Sequence, residues 1–565
     1  MKVVVFVLSG ALFGAPAAAQ HAAEMARPPR TYSTSAIQAG DVAGWRADLR
    51  QLMREIERIH PDPFLKNPRA AFEAAIAALD ARIPQLAAHE IIVELERVVA
   101  MVGDGHTNIL LTANAGVDFH QLPIRLGLYA DGFWVEAADR KYAPAVGGKL
   151  VAIGGVRSDS ALARLIPIIS RDNDQWFQVA APNLLNLIEV LHALKLSDRL
   201  DRARFTIEKD GRQSDVVLEP LPDTRPRPFG YPFMPGYTSD WVDARDQAKL
   251  PVPLYQRRAE ENYWWEYQPS QRLLYIKWDQ VMNRPGAETA LQTFRTAMAY
   301  ARENAAHIDK VLIDIRNNTG GEGGLLDPIA REIVRTREVD EPGRLFVAIG
   351  PRTFSAGLLF TMQLARYTRA IFVGEPTGGK VNVAAGHEFV ILPFSGVGVS
   401  VSPAFYQTGI PSDRREFVAP RLAVRPTFED YKANRDPVLE AVLRYDSASV
   451  AINIEAELVR GDTAAAEKRV RDYDTLPLNR YMASAPAINA LGYQFLRSHR
   501  MTEALRTFRL NVRVHPEYVN GWDSLGEAYE QAGQIAEAIA AFQEVLRREP
   551  NNGRAREILA RLQRR

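Results

Sequence analysis

The sequence predicts a mixed α/β protein ending in an all-helical array, and three observations carry that prediction. In the second half of the chain, buried-looking apolar runs alternate with amphipathic stretches, the pattern of a largely parallel sheet covered by helices. A part nearer the N-terminus alternates with period two, as a half-buried antiparallel sheet does. The C-terminal end repeats itself at a constant offset of 34 residues. With 565 residues, and roughly 150 per domain, there is room for about four such units.

Composition narrows the function classes. The chain is 47% hydrophobic and 24% charged, as folded globular proteins are, and it is long enough to bury real cores. Lys and Arg number 69 against 68 Asp and Glu. No field of one sign favours nucleic acid or anionic lipid, so neither is an expected partner. The absence of cysteine excludes disulfides, thiolate nucleophiles, Fe–S clusters and cysteine-based zinc sites together.

Along the chain, Lys2 is followed by an apolar stretch from Val3 to Phe13, and Ala17-Ala18-Ala19 precedes Gln20. A positive start, a short apolar run and a small-residue cleavage site have the form of a secretory signal peptide. Residues 1–19 are therefore expected to be removed near Ala19, giving an exported, soluble chain in the periplasm. No later run reaches the roughly 18 apolar residues of a membrane helix, so no membrane span is expected. From Asp41 to Val102 the pattern is helical: Leu49, Leu52, Ile56 and Ile59, then Phe72, Ile76 and Leu79, recur at three- and four-residue spacing. These residues predict a helical cap over 41–120. Between Leu122 and Leu218, runs such as Phe133-Trp134-Val135 and Phe205-Thr206-Ile207 flank Asp131-Gly132 and Asp210-Gly211, which predicts a β module over 121–220 with hairpin turns at the Asp-Gly pairs.

Six prolines between Pro220 and Pro235 prevent a regular element and predict a linker within 221–262. Leu273 to Ile276, Val311 to Ile315 and Phe346 to Ile349 then read as buried strands, with helices over 287–304 and 326–335 between them. They define an α/β core over 263–430. In the last part, over 450–565, Leu491-Gly492, Glu503-Ala504, Phe508 and Pro516 recur as Leu525-Gly526, Glu537-Ala538, Phe542 and Pro550. This resembles tetratricopeptide repeats. Residues 452–473 are expected to supply a degenerate first pair, since such arrays need about three repeats for stability. The array suits a protein partner or self-association.

Three segments could do chemistry. Gly350-Pro351-Arg352-Thr353-Phe354-Ser355-Ala356-Gly357 leaves a strand and enters a helix. A hydroxyl there is presented at an edge, beside the unpaired N–H groups and partial positive charge of the helix start. Ser355 also fits a plain N-cap, since serine is favoured there. Asp314 to Gly321 ends in a Gly-Gly pair after a buried strand, which frees backbone N–H groups to face an anion or serves as a tight turn. Gly103-Asp104-Gly105-His106-Thr107 offers an imidazole in a polar loop, and a serine nucleophile needs such a base.

Together these strings resemble the tail-specific, or C-terminal-processing, serine protease family, and most closely its tricorn-core-like branch. The resemblance rests on GDGHT at Gly103–Thr107, DIRNNTGG at Asp314–Gly321, TFSAG at Thr353–Gly357 and VGEPTGG at Val373–Gly379, in family order. It extends from about Asp41 to Pro426, with His60-Pro61 and Tyr263-Trp264-Trp265 included. It implies a crotonase/ClpP-like β/α spiral protease core with an N-terminal helical cap and a PDZ-like β module, in which Gly148–Gly155 matches the strand-and-turn element. No GLGF-type carboxylate-binding loop accompanies it. The resemblance implies Ser355 as nucleophile and an oxyanion hole from backbone N–H groups of Gly320, Gly321 and Ala356. For the base, the tricorn-like strings point to His106, and the processing-protease branch points to Lys380. An amine serves only if burial lowers its pKa far below about 10.4, whereas an imidazole starts near 6.5. Asp413 or Glu416 is the expected acid orienting the imidazole. No cofactor and no metal are implied.

Two other strings were weighed. Gly374 to Lys380 fits most of a nucleotide P-loop, but Val381 stands where Ser or Thr must hold magnesium. His89-Glu90 begins a zincin-like string with Val93 in the second histidine position, so no zinc site follows. The expected function is thus an exported peptidase acting on peptide or protein substrates. The alternative is a non-catalytic peptide- or ligand-binding protein on the same scaffold, with the repeats as adaptor.

Overall fold

A computed structural model describes residues 41–109, 111, 119–222, 241–445 and 454–564. The expected signal segment 1–19 and most of the proline-rich stretch lie outside the described residues. The chain divides into two compact units: one runs to Ala419 and includes Arg425–Val442, and the other holds Pro420–Val424 and the chain from Leu443 on.

The first unit begins with helices Val42–Ile59, Arg69–Arg82 and Ala88–Val99. Leu49, Leu52 and Ile56 of the first, Phe72 and Leu79 of the second, and Ile91 and Leu95 of the third are buried. The three- and four-residue spacing thus marks the inward faces. The first helix stops at His60, which is extended because Pro61 disfavours a helical residue before it.

Five antiparallel strands follow in the order Ile124–Tyr129, Gly132–Asp139, Lys149–Ile153, Ala203–Lys209, Arg212–Leu218. Asp210 and Gly211 both have positive φ, 52° and 73°, as a two-residue hairpin with the right-handed twist requires. Between the third and fourth of these strands stand helices Ser158–Leu165, Phe177–Leu184 and Ile188–Ala193, which the alternating pattern did not announce. Val179, Ala180, Ala181 and Leu184 are all buried, and a helix apolar on most sides shows no clear 3.6 period. Cap, β module and Val397, Val399 and Val401 share one apolar core.

The α/β part has its own core. Strands Ile371–Gly374, Leu345–Ile349, Lys310–Asp314 and Leu273–Trp278 lie side by side in parallel, and Tyr263–Gln268 pairs antiparallel with the last. Every residue of Leu273–Trp278 and Leu345–Ile349 is buried, so both faces are covered; Leu273–Ile276 and Leu345–Ile349 read as unbroken apolar runs, and the buried Lys277 that follows the first is paired with Asp279 at 2.7 Å. Helices Ala290–Glu303, Leu326–Arg335 and Ala356–Tyr367 cover one of those faces, packing on Leu274, Ile276, Val311, Ile313, Leu345 and Val347. Trp278 packs edge-on against Phe294 and Phe360, with ring centroids 5.2 and 5.0 Å away.

The second unit consists largely of helices: Glu455–Arg460, Thr463–Thr475, Ser484–Arg497, Met501–Val514, Val519–Gln531, Ile535–Arg548 and Gly553–Leu562. The 34-residue offset has a steric cause. A Cβ on Gly492 would lie 2.5 Å from the Phe508 ring, and one on Gly526 would lie 2.7 Å from the Phe542 ring. Each ring fills the space that the glycine leaves open, so the pair must recur together.

Candidate functional site

Ser355 stands between strand Leu345–Ile349 and helix Ala356–Tyr367. The turn is pinned to the end of the neighbouring strand. Thr353 Oγ1 donates to the Ile315 carbonyl at 2.9 Å and accepts the Gly350 N–H at 3.0 Å, while Phe354 N–H donates to the Asn318 carbonyl at 3.0 Å. Held this way, Ser355 takes φ 49° and ψ −126°, a conformation that costs an L-residue on the order of 1–3 kcal/mol. It occupies the N-cap position, yet its side chain makes no capping hydrogen bond. The hydroxyl is therefore not engaged in closing the helix.

Gly320 lies directly against it. A Cβ there would sit 2.5 Å from Ser355 Cβ, 3.0 Å from its Oγ and 2.8 Å from Ala356 N, and Gly320 has φ +106°. Fully buried Asn318 fixes this turn, donating from Nδ2 to the Trp278 carbonyl at 2.8 Å and accepting the Gly320 N–H on Oδ1 at 2.9 Å. The Gly320 amide is thus engaged within the turn. Gly321 and Ala356 line the cavity with Ser355.

His106 comes from the loop after the third helix, turned by Gly103 at φ +82°. Asp104 organises that loop. Its Oδ1 accepts the N–H of His106 at 2.8 Å, the N–H of Thr107 at 2.7 Å and the Ser402 hydroxyl at 2.8 Å; its Oδ2 meets His60 Nε2 at 2.9 Å. The His106 ring is 1% exposed, stacks on Phe354 at 4.6 Å and lies 5.2 Å from the His387 ring. Neither of its nitrogens has a hydrogen-bond partner among the described residues. Burial, reinforced by His387 and opposed by Asp104, pushes its pKa down to about 3.

Asp104, His106 and Asp172 each bring a ligating atom within 4.8 Å of the others. They are the residues that could hold a cation. Asp172 Oδ1 accepts the Gly105 N–H at 2.7 Å and its Oδ2 the Lys380 N–H at 3.2 Å, so both carboxylates also serve as anchors for backbone. Burial and the charge on Asp104 push Asp172 up to about 7. Burial opposes ionisation of Asp104 as well, but His60, Ser402 and His106 outweigh it and hold the carboxyl below its ordinary value.

A cavity of about 490 Å³ joins these groups, with Ser355, Ala356, Gly321, His106 and His387 in its wall. Lys380 is not in that lining; its Nζ lies 3.6 Å from Glu416 Oε1. Asp413 is paired with Arg415 at 2.7 Å. The expected orienting acids are thus occupied elsewhere, and the carboxylates beside His106 are Asp104 and Asp172. His387, Asp172 and Phe354 surround the imidazole without having been expected from the sequence. Asp104 and Phe354 sit inside the quoted strings, next to the residues assigned roles. His387 and Asp172 carry no local pattern, and only the fold brings them here.

Residues 519–562 match the tetratricopeptide repeat family. The "Tetratricopeptide repeat domain-containing protein PYG7, chloroplastic" of Arabidopsis thaliana is 39% identical over 72 residues, 13% of this chain and 24% of that protein. The chain thus matches about a quarter of that relative's length. Solved structures similar to this chain include mature CPAF complexed with lactacystin, at 13% identity over 72% of this chain and 99% of that one, with a TM-score of 0.47. The photosystem II D1 C-terminal processing protease is 15% identical over 72% and 97%, with a TM-score of 0.33. The tricorn protease is 12% identical over 71% and 36%, with a TM-score of 0.31.

Proposed function

We propose that this chain is an exported serine peptidase that hydrolyses peptide bonds through an acyl-enzyme on Ser355. One observation carries the reading. The Ser355 hydroxyl, held in a strained turn and free of a capping role, shares a cavity with the His106 imidazole and with Gly321 and Ala356. In this reading residues 41–120 supply the base, the module over 121–220 walls the cavity, the core over 263–430 supplies the nucleophile, and the repeats bind a protein partner.

Ser355 Oγ attacks the peptide carbonyl carbon while a His106 nitrogen takes its proton. Burial keeps His106 neutral beforehand, as a base must be. The imidazolium that forms lies beside ionised Asp104, whose charge favours it. The carbonyl oxygen, now negative, takes N–H groups of Gly321 and Ala356, each worth about 10²–10³ in rate at sites of this kind. His106 then protonates the leaving amine, and water, deprotonated by the same imidazole, releases the acyl group from Ser355.

A fluorophosphonate reagent tests the nucleophile on the full chain. Labelling of the wild type that vanishes in Ser355→Ala is expected; an unlabelled wild type that binds peptides without cleaving them overturns the reading in favour of a binding protein. For the base, His106→Ala should lose at least about a hundredfold in kcat/KM, and Lys380→Ala should stay near the wild type. The reverse result transfers the role to the amine.

A further inference from the structure

The cavity shared by Ser355 and His106 is larger than one peptide bond requires, and much of its remaining wall is apolar. Ile168, Ile169, Trp176, Val179, Ala180 and Leu184 all face it, contributed by the helical insertion of the β module. Two polar side chains beside that wall, Glu96 of helix Ala88–Val99 and Ser170, are bonded to each other: Ser170 Oγ donates to Glu96 Oε1 at 3.0 Å, and Glu96 Oε2 accepts the Ile109 N–H at 2.6 Å, while Asn108 Nδ2 donates to the Gly105 carbonyl at 3.0 Å. Glu96 and Ser170 are both buried.

We propose that this wall seats the side chain of the substrate residue whose carbonyl Ser355 attacks, and that it selects a large apolar one of the leucine, methionine or phenylalanine class. The inference rests on the peptidase reading above and adds to it the substrate class. An acidic side chain entering this wall would lose its water and find no cation among the described residues that line it. A basic one would need a free anion. Glu96 is not one at neutral pH, because complete burial pushes its carboxyl up to about 8 and its oxygens are already engaged. A glycine or alanine would leave the apolar surface uncovered. Burying a leucine or phenylalanine side chain there is expected to raise kcat/KM roughly 10- to 100-fold over glycine.

The test uses the full chain and N-succinyl-Ala-Ala-X-p-nitroanilides, in which the scissile bond is fixed and X is Gly, Ala, Asp, Lys, Leu or Phe. Leu and Phe should lead by at least tenfold. A preference for Asp or Lys, or values within threefold of one another, overturns the proposal. Ala180→Phe fills the wall: it should lower the Leu and Phe rates at least tenfold relative to the Ala rate, with fluorophosphonate labelling showing that the variant folds, and equal losses on all substrates refute the proposal. Glu96→Gln should lower the Lys rate no more than the Leu rate, and a selective loss of Lys turnover would show an anionic Glu96 and refute a neutral wall. Should the wild type neither label nor turn over any substrate, the peptidase reading fails by itself. The wall is then judged by binding of the same compounds to Ser355→Ala, where Leu and Phe should bind at least tenfold tighter than Gly and equal affinities refute it.

Discussion

Gly320→Ala is the most direct probe of the geometry around Ser355. The added methyl would sit 2.5 Å from Ser355 Cβ and 2.8 Å from Ala356 N, about 1 Å inside ordinary van der Waals contact. None of these atoms is the loose end of a long side chain, so the backbone of one turn must move. A displacement near 1 Å at a reacting centre is worth about 10²-fold in rate. Disturbing the Ala356 amide as well adds part of the 10²–10³ of an oxyanion donor. The expected loss in kcat/KM is therefore about 10²- to 10³-fold. The φ of +106° adds a stability loss on the order of 1–2 kcal/mol, a drop in melting temperature of a few degrees. Gly324→Ala is the matched control, because its Cβ would meet nothing within 4 Å and its φ is not positive. Both variants are assayed as full chains on one peptide, with melting temperatures recorded alongside. Turnover by Gly320→Ala within threefold of the wild type, with Gly324→Ala also normal, would refute the proposed roles of Ser355 and of the amides beside it.

Two further outcomes depend on pH. Because burial holds His106 neutral down to about pH 3, kcat/KM should stay level from pH 7 to pH 5. Asp172→Asn removes the neighbouring group near 7, and an acid limb between pH 6 and 7 persisting in that variant would rule out this imidazole as base. For stability, Glu96 goes the opposite way. Its folded-state value is raised from 4.5 to about 8, so the folded chain keeps a proton that the unfolded chain releases. Its contribution is greatest below 4.5 and is lost as pH rises to 8, at about 1.4 kcal/mol per pH step as an upper bound. Glu96→Gln should therefore lose less melting temperature between pH 5 and pH 8 than the wild type, and parallel curves would contradict the assignment.

What could be read from the sequence followed the strength of local constraint. Strand Leu345–Ile349 is buried on both faces, so its position is written in consecutive apolar residues. Gly492 with Phe508, and Gly526 with Phe542, announced the repeats because one steric problem is solved twice at the same spacing. Ser355 and the glycine turn were visible because a strand, a sharp turn and a helix must follow one another within a few residues. The surroundings of His106 were not visible. Asp172 and His387 reach it from segments 66 and 281 residues further along, and no periodicity encodes such a meeting. Helix Phe177–Leu184, which walls the cavity, is apolar on most sides and so carried no helical signature.

The arrangement around His106 also shows why Asp104 does not act on the ring through a hydrogen bond. Its oxygens hold the N–H groups of His106 and Thr107, the Ser402 hydroxyl and His60, so this carboxylate fixes the loop and not the imidazole. The ring is oriented by stacking on Phe354, the residue next to the proposed nucleophile. Gly105 makes that contact possible, because a Cβ there would come within 2.6 Å of the Phe354 ring. The proposed base and nucleophile thus meet through one aromatic side chain, and neither imidazole nitrogen has a hydrogen-bond partner among the described residues. In the proposed mechanism one of them accepts the Ser355 proton, and the positive charge that results is balanced across space by Asp104. In that proposal the serine–histidine pair needs an ionised carboxylate nearby but no hydrogen bond from it to the ring, so its third member is an electrostatic neighbour that is also the anchor of the loop.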